Sequence, residues 1–280
     1  MTTLDVARLA PVTSVAGASL SPRWASHPVV VAEQAHDGWD ASHVWADDDA
    51  LLVRLRWRVR TDGLRPFAVE HDDDAASVLG LGEPGAAARL VVAAGTALGT
   101  VTRVSAPRGT HAELAGLAAA GHRVPAPFDR LPVSAWDWYG TTTSPAVQPG
   151  EDRVVELDAT HRHGAAACLA VANPHGELSL DEPRSRWWGW LDDDGTVRGV
   201  AGASRRVPGQ PWVLGSVGTD PAFRGRGIAA AVTAAATRAG LAEVAMVTLG
   251  MYAHNDAARR VYERLGFARV QEFESWRPER

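Results

Sequence analysis

The sequence predicts a mixed α/β protein in which mostly antiparallel strands are flanked by helices. Three observations predict it. First, "RWWGWLDD" (186–193), "TVRGVAGASRRV" (196–207) and "PWVLGSVGT" (211–219) are rich in strand-forming residues and are separated by the turns "DDDG" and "PGQP". That reads as an antiparallel meander. Second, the last of these strands leads through an arginine- and glycine-rich turn into "RGIAAAVTAAATRAG" (226–240), an alanine-rich helix closed by glycine. Third, a buried apolar strand, "VAMVTLGMY" (244–252), is followed by the amphipathic helix "NDAARRVYERLG" (255–266) and a last strand, "FARVQEFESW" (267–276).

The remaining elements are justified in chain order. Residues 1–43 mix Pro, Ser and His without periodicity and read in part as an extended arm. "ALLVRLRWRVR" (50–60) alternates and reads as a strand, as do "AARLVVAAG" (87–95) and "LGTVTRVSA" (98–106). "THAELAGLAAAG" (110–121) reads as a helix stopped by glycine. "TTTSPAVQPGE" (141–151) has the Thr/Pro/Gly composition of a linker, dividing the chain into domains of 1–145 and 150–280. In the second, "RVVELDA" (153–159) is a strand and "THRHGAAACLAVAN" (160–173) a helix with Thr160 as its cap.

Composition narrows the chemistry. The chain has 280 residues, 46% of them apolar, enough for a sizeable core. A net charge of −5 gives no general attraction to nucleic acid or anionic membrane. Asp47–Asp49, Asp72–Asp74 and Asp192–Asp194 read as solvated turns. There is no lysine, which excludes a Walker A lysine, a Schiff base and a serine–lysine dyad together. Cys168 is the sole cysteine, so no intrachain disulfide forms. Together with an N-terminus lacking the features of a signal peptide, that leads to the expectation of a cytoplasmic protein. Cys168 itself reads as a small buried hydrophobe rather than a nucleophile.

The chemistry concentrates in "DPAFRGRGIA" (220–229). Gly225 and Gly227 let the backbone approach a ligand closely, and the amides at the helix start point toward it. Successive N–H groups form a nest for phosphate oxygens, to which Arg224 and Arg226 add charge. Asp158, His161 and His163 invite a metal reading, but no third well-spaced ligand is visible and no metal is expected.

The sequence Arg224-Gly225-Arg226-Gly227-Ile228-Ala229 between a strand and a helix is followed by a strand, then Asn255 through Tyr262 to Gly266-Phe267. This closely resembles the GCN5-related N-acetyltransferase (GNAT) family over about residues 150–280. The resemblance implies an acyltransferase with acetyl-CoA as co-substrate and an amine as acceptor. The amides of Gly225, Arg226, Gly227, Ile228, Ala229 and Ala230 would hold the CoA pyrophosphate. The backbone of Val217, Gly218 and Thr219, in a strand that Gly215 and Gly218 suit to bulging, would pair with pantetheine. Asn255 would contact the cofactor, and Tyr262 would protonate the leaving thiolate. The family's carboxylates on the strand before the loop and near the motif asparagine are replaced by Val213 and Gly250. The base is left to a water chain, His254 or a side chain of the first half.

"LGTVTRVSAPRG" (98–109) aligns with "LGSVGTDPAFRG" (214–225), which suggests a decayed internal repeat. By this reading the chain is a tandem GNAT protein whose N-terminal half, 1–145, is a degenerate copy or accessory domain. Trp136, Trp138, Trp187, Trp188 and Trp190 then pack the two halves or wall a substrate cleft, packing being the preferred reading. The acceptor is a small molecule or a peptide amine, and the protein a monomer or homodimer. Rival readings are a protein N-acetyltransferase and an acyl-CoA-binding regulator without catalysis.

Overall fold

The computed structural model describes Leu4 and residues 14–15, 18–34, 41–56, 76–205 and 208–277. A two-residue ladder, β1 (Ser14–Val15) with β2 (Ala18–Ser19), precedes the short helices α1 (Pro22–Ala25) and α2 (Pro28–Gln34). Then come β3 (Ala41–Ala46), β4 (Ala50–Arg56), β5 (Ala76–Gly82), α3 (Pro84–Ala94), β6 (Val101–Pro107), α4 (Thr110–Ala119) and β7 (Ser134–Thr141). The second half runs β8 (Val154–Glu156), α5 (Arg162–Ala172), β9 (Ser185–Leu191), β10 (Val197–Ser204), β11 (Trp212–Thr219), α6 (Ile228–Leu241), β12 (Val247–Tyr252), α7 (Asp256–Arg264) and β13 (Ala268–Trp276). Among the described residues no helix is long and apolar enough to cross a membrane.

The chain forms two units. One holds Tyr139–Met251 and Asn255–Ala268; the other holds Ala10–Trp138, Tyr252–His254 and Arg269–Arg280. The boundary falls inside β7 rather than in the Thr/Pro/Gly stretch. Arg238 of α6 fastens that stretch, donating to the carbonyls of Pro145 and Ala146 and pairing with Glu151.

In the unit containing α6 the strands lie in the order β12-β11-β10-β9-β8, antiparallel except for the parallel pair β11–β12. Alternation along β10 sends Ala201 and Ala203 to one face, where they join Val232, Ala234, Tyr262 and Phe267 of the main core. Val200 goes to the other face, with Ala165 and Cys168 of α5 and Trp187. Glycine in β10 makes room on both sides. A Cβ on Gly199 would lie 2.2 Å from Ile228 Cγ2, and one on Gly202 would lie 2.7 Å from Leu178 Cδ2.

The other unit repeats this frame. Its order is β3-β4-β5-β6-β13, with β5–β6 the parallel pair. Leu52, Val78, Val91, Val104, Leu114, Phe128 and Trp276 form its core. Within the stretch expected in part as an arm, Pro22–Ala25 and Pro28–Gln34 form α1 and α2, and Trp24, Val29, Val30 and Val31 are buried. The strand at 50–60 is β4 as far as Arg56; residues 57–60 lie outside the described set, as does Asp72–Asp74.

Two expectations are corrected. "AARLVVAAG" is not a strand but the body of α3, which starts at Pro84. Its buried Ala87, Ala88, Val91 and Ala94 form one helical stripe, and the fixed φ of proline suits the first helical turn. The internal repeat is present but in a different register. Topologically β5-α3-β6-α4 matches β11-α6-β12-α7, so β6 corresponds to β12 and not to β11.

Tight packing around β10 yields a stability prediction. A methyl at Gly202 would also meet two ring carbons of buried Trp187 at 2.9 Å. Gly202→Ala should therefore cost roughly 1–3 kcal/mol by overpacking. In thermal unfolding that appears as a midpoint lowered by roughly 3–10 °C. At Gly215 the added carbon meets only Leu178 Cβ, at 3.6 Å, so Gly215→Ala should leave the midpoint near that of the parent. Equal midpoints for Gly202→Ala and the parent would contradict the packing account.

Candidate active site

The site begins with an irregularity in β11. On the β10 side Gly215 pairs with Gly202 and Gly218 with Val200, so Ser216 and Val217 stand opposite Ala201 alone. This is a β-bulge, in keeping with the glycines that flank it. Ser216 takes a left-handed backbone, φ 51°. Its hydroxyl donates to the Leu178 carbonyl at 3.0 Å and accepts from the Leu178 amide at 2.9 Å. Asn173, just past α5, donates from Nδ2 to the Val217 carbonyl at 3.2 Å. Neither contact was expected from the sequence. The only available signal was rarity: Asn173 and Asn255 are the chain's two asparagines.

On its other edge β11 pairs with β12 from Trp212↔Val247 to Leu214↔Leu249 and no further. Beyond that point the two strands part. Residues 215–219 therefore carry main-chain groups on an edge that β12 does not cover.

The strand end leads directly into the glycine loop. Asp220 caps a single 3-10 turn, Pro221–Phe223, by accepting from the Ala222 amide at 3.0 Å. Gly225 and Gly227 have φ 79° and 82°, and no atom lies within 4 Å of a Cβ built on either. Gly227 is the N-cap of α6 and no side chain caps this end. The first intrahelical bond is Ala231 N–H to Gly227 O, at 3.0 Å. The amides of Ile228, Ala229 and Ala230 thus have no acceptor within the helix. Arg224 Nε donates to the Thr219 carbonyl at 3.3 Å, folding the arginine back over the strand end.

On α7, Asn255 accepts from the Ala258 amide at 3.1 Å and so caps the helix. Tyr262 faces inward at 8% exposure, and burial pushes its phenol up to about 12. It belongs to the cluster that contains Leu214, Leu249 and Met251 and against which Val217 packs. The tyrosine thus shares one core cluster with Leu214 and Leu249, the last residues paired between β11 and β12.

A family model, acetyltransferase (GNAT) family, matches residues 151–267. This part of the chain belongs to the GNAT acetyltransferase family. It is an acyltransferase domain, and the glycine loop, the bulge and Tyr262 all lie within the matched stretch. Among solved structures the chain is similar to a GCN5-related N-acetyltransferase from Sphaerobacter thermophilus, with 17% identity, TM-score 0.46, and 97% of this chain and 90% of that one covered. It is similar to another from Kribbella flavida, with 15% identity, TM-score 0.47, and 83% and 88% covered. A tandem GNAT protein from the clavulanic acid biosynthesis pathway has 16% identity, TM-score 0.42, and 83% and 84% covered. Among curated proteins no sequence matches it.

The GNAT domain lacks a carboxylate at both positions considered from sequence. Val213 is 39% exposed, and Gly250 is on the exposed side of β12. His254 belongs to the N-terminal unit, where its ring stacks on Tyr252. Asp158 and His161 bond each other at 2.8 Å in a capping box at the approach to α5. Among the described residues no group of side chains has the makings of a metal site. Cys168 is buried and its thiol is raised to about 11, chiefly by burial, so it is no nucleophile.

The tyrosine's environment gives a pH prediction. A phenol at about 12 in the folded GNAT domain and near 10 when unfolded stays protonated longer in the folded state. Its contribution is whole below pH 10 and is lost as pH rises through 12. Over that window wild type should lose roughly 2–3 kcal/mol more than Tyr262→Phe. Denaturant titrations of both proteins between pH 9 and 12 measure the difference. Parallel pH curves would show that the hydroxyl reaches water.

Proposed function

We propose that the GNAT domain transfers the acetyl group of acetyl-CoA to an amine by direct attack on the thioester, with Tyr262 as the general acid. The observation that carries this reading is the parting of β11 from β12 after Leu214, on the strand that runs into the glycine loop. In this reading the amides from Gly225 to Ala230 hold the pyrophosphate, and Arg224 and Arg226 balance its charge. The uncovered edge of Val217, Gly218 and Thr219 pairs with pantetheine as an added strand would. Asn255 keeps its capping role and borders the same ligand. A backbone amide at the bulge stabilises the oxyanion as the amine attacks.

The tyrosine's role follows from magnitudes. A thiol near 8.5 is a stronger acid than a phenol at about 12, so transfer to a fully hydrated thiolate runs uphill. A thiolate leaving in the same apolar cluster is itself poorly solvated and binds a proton more tightly. Tyr262 then acts as a neutral donor that gives up its proton as the carbon–sulfur bond breaks. Attack by a neutral amine, with water taking its proton, asks for no carboxylate at Val213 or Gly250. The missing carboxylates also favour a second reading, an acyl-CoA-binding regulator without turnover. Whether the acceptor is a small molecule or a peptide is read from an amine panel, with thiol release as the signal.

Two outcomes are expected. Gly227→Asp keeps a residue type that tolerates left-handed backbone but sets a carboxylate against the phosphates. Calorimetry with acetyl-CoA should show binding weakened by about 100-fold, since like-charge contact costs several kcal/mol. Gly227→Asn, uncharged and of the same shape, should lose far less. Equal affinities for the two variants would remove the pyrophosphate from this loop. Tyr262→Phe should bind acetyl-CoA like wild type but turn over roughly 10²- to 10⁴-fold more slowly with an accepted amine. Full-rate turnover by that variant would take the acid role from Tyr262.

A further inference from the structure

Most arginines of the unit containing α6 are neutralised. Arg153 pairs with Asp193 at 2.6 Å, Arg205 with Glu243 at 2.9 Å and Arg259 with Asp256 at 3.0 Å. Arg198 is gripped by two carboxylates, Asp192 at 2.7 Å and Asp220 at 3.0 Å. Among the described residues no carboxylate pairs with Arg224 or Arg226. Arg224 is turned toward the Thr219 carbonyl. Arg226 is placed differently: its guanidinium carbon lies 4.7 Å from the centre of the Phe223 ring. The same ring lies 4.5 Å from the guanidinium carbon of Arg198. Asp192 and Asp220 thus hold Arg198, Arg198 holds Phe223, and Phe223 holds Arg226 beside the turn that precedes the glycines.

CoA carries charge in two places. Its pyrophosphate is a diester whose oxygens suit a row of backbone amides. Its 3′-phosphate is a monoester, nearly a dianion at neutral pH, and needs a cation with several donors of its own. An arginine fork fits that group, and stacking on an aromatic ring fixes the fork while leaving its N–H edge outward. With the acyl end toward the bulge at Ser216 and the pyrophosphate on the loop, the nucleotide end leaves past the loop, where Arg226 stands exposed. The geometry points to Arg226, held on Phe223, as the residue that reads the 3′-phosphate of CoA and separates it from 3′-dephospho-CoA. This inference rests on the acetyl-CoA reading of the same site.

Calorimetry on the full chain with CoA and with 3′-dephospho-CoA tests it. Wild type should bind CoA about 10-fold or more tightly than the dephospho form, with a ratio that shrinks as salt rises. Arg226→Gln should lose far more affinity for CoA than for dephospho-CoA, whose pyrophosphate keeps Arg224 and the loop amides, and so bring the ratio close to one. Phe223→Leu should give an intermediate ratio, because the charge remains but its mooring is gone. Arg224→Gln should weaken both ligands alike and preserve the ratio. A wild-type ratio near one, or an Arg226→Gln variant that weakens both ligands equally, would overturn the inference while leaving the cofactor site in place. Failure of wild type to bind either ligand would overturn the cofactor reading itself. A thermal melt of each variant confirms that the fold is intact.

Discussion

The left-handed backbone at Ser216 is the constraint on which the site depends. An L-residue there costs about 1–2 kcal/mol. Two hydrogen bonds, one donated by its hydroxyl to the Leu178 carbonyl and one accepted from the Leu178 amide, each contribute about 1 kcal/mol net and are sufficient to offset it. Because Ser216 is turned this way, Gly215 and Ser216 both face Leu178 and α5. Val217 is thereby returned to the opposite face, where it packs against the cluster containing Tyr262. A regular strand would have placed Ser216 toward that cluster. The same turn ends pairing with β12 after Leu214 and leaves the following main chain uncovered. Gly176 and Gly218 share in the constraint, because a Cβ on Gly176 would lie 2.6 Å from Ser216 Oγ and one on Gly218 2.9 Å from Ala172 Cβ.

Repetition of the frame within the chain shows what the loop adds. In the N-terminal unit β5 and β6 also part, after Leu79↔Ser105. There, however, Glu83 alone separates the strand from α3, against Asp220–Gly227 in the GNAT domain. Pro84 at the start of α3 has no amide hydrogen to offer a phosphate. The exit of β5 is occupied by the unit's own groups. The Gly82 amide donates to Gln271 Oε1 at 3.1 Å, the Glu83 amide donates to the Asp49 carbonyl at 2.9 Å, and Pro107 lies 3.3 Å from a Cβ built on Gly80. The strands and helices of this frame therefore do not by themselves make an anion site. The long loop, with two left-handed glycines and no side-chain cap, is what leaves amides unspent.

Much of this was legible in the sequence because local chemistry decides it. The glycines of the loop, the alanine helix after them, the asparagine cap of α7 and the meander before β11 each follow from residue type and spacing. The bulge was legible from Gly215 and Gly218, but the left-handed serine was not, since serine has no preference for that backbone and its stabilising partner lies at Leu178. For α3, Val91 and Val92 within a short apolar run outweighed the start signal at Pro84, and only burial reveals the stripe. The register of the repeat was obscured by loss of the loop, which left Arg108-Gly109 as a decoy beside a different strand. Assignment of Arg269–Arg280 to the N-terminal unit depends on pairing between β13 and β6, far apart in sequence, and no local pattern encodes it.

The distribution of charge along the site supplies its polarity. At the loop end stand two arginines without carboxylate partners among the described residues, and a row of unspent amides. At the bulge end the nearby side chains are Leu214, Val217, Leu249, Met251 and a tyrosine that burial keeps neutral. A phosphate driven into that apolar cluster would forfeit its hydration without a partner, at a cost of several kcal/mol, whereas an acyl thioester loses little there. A ligand charged at one end and apolar at the other is therefore oriented by desolvation before any specific contact is made.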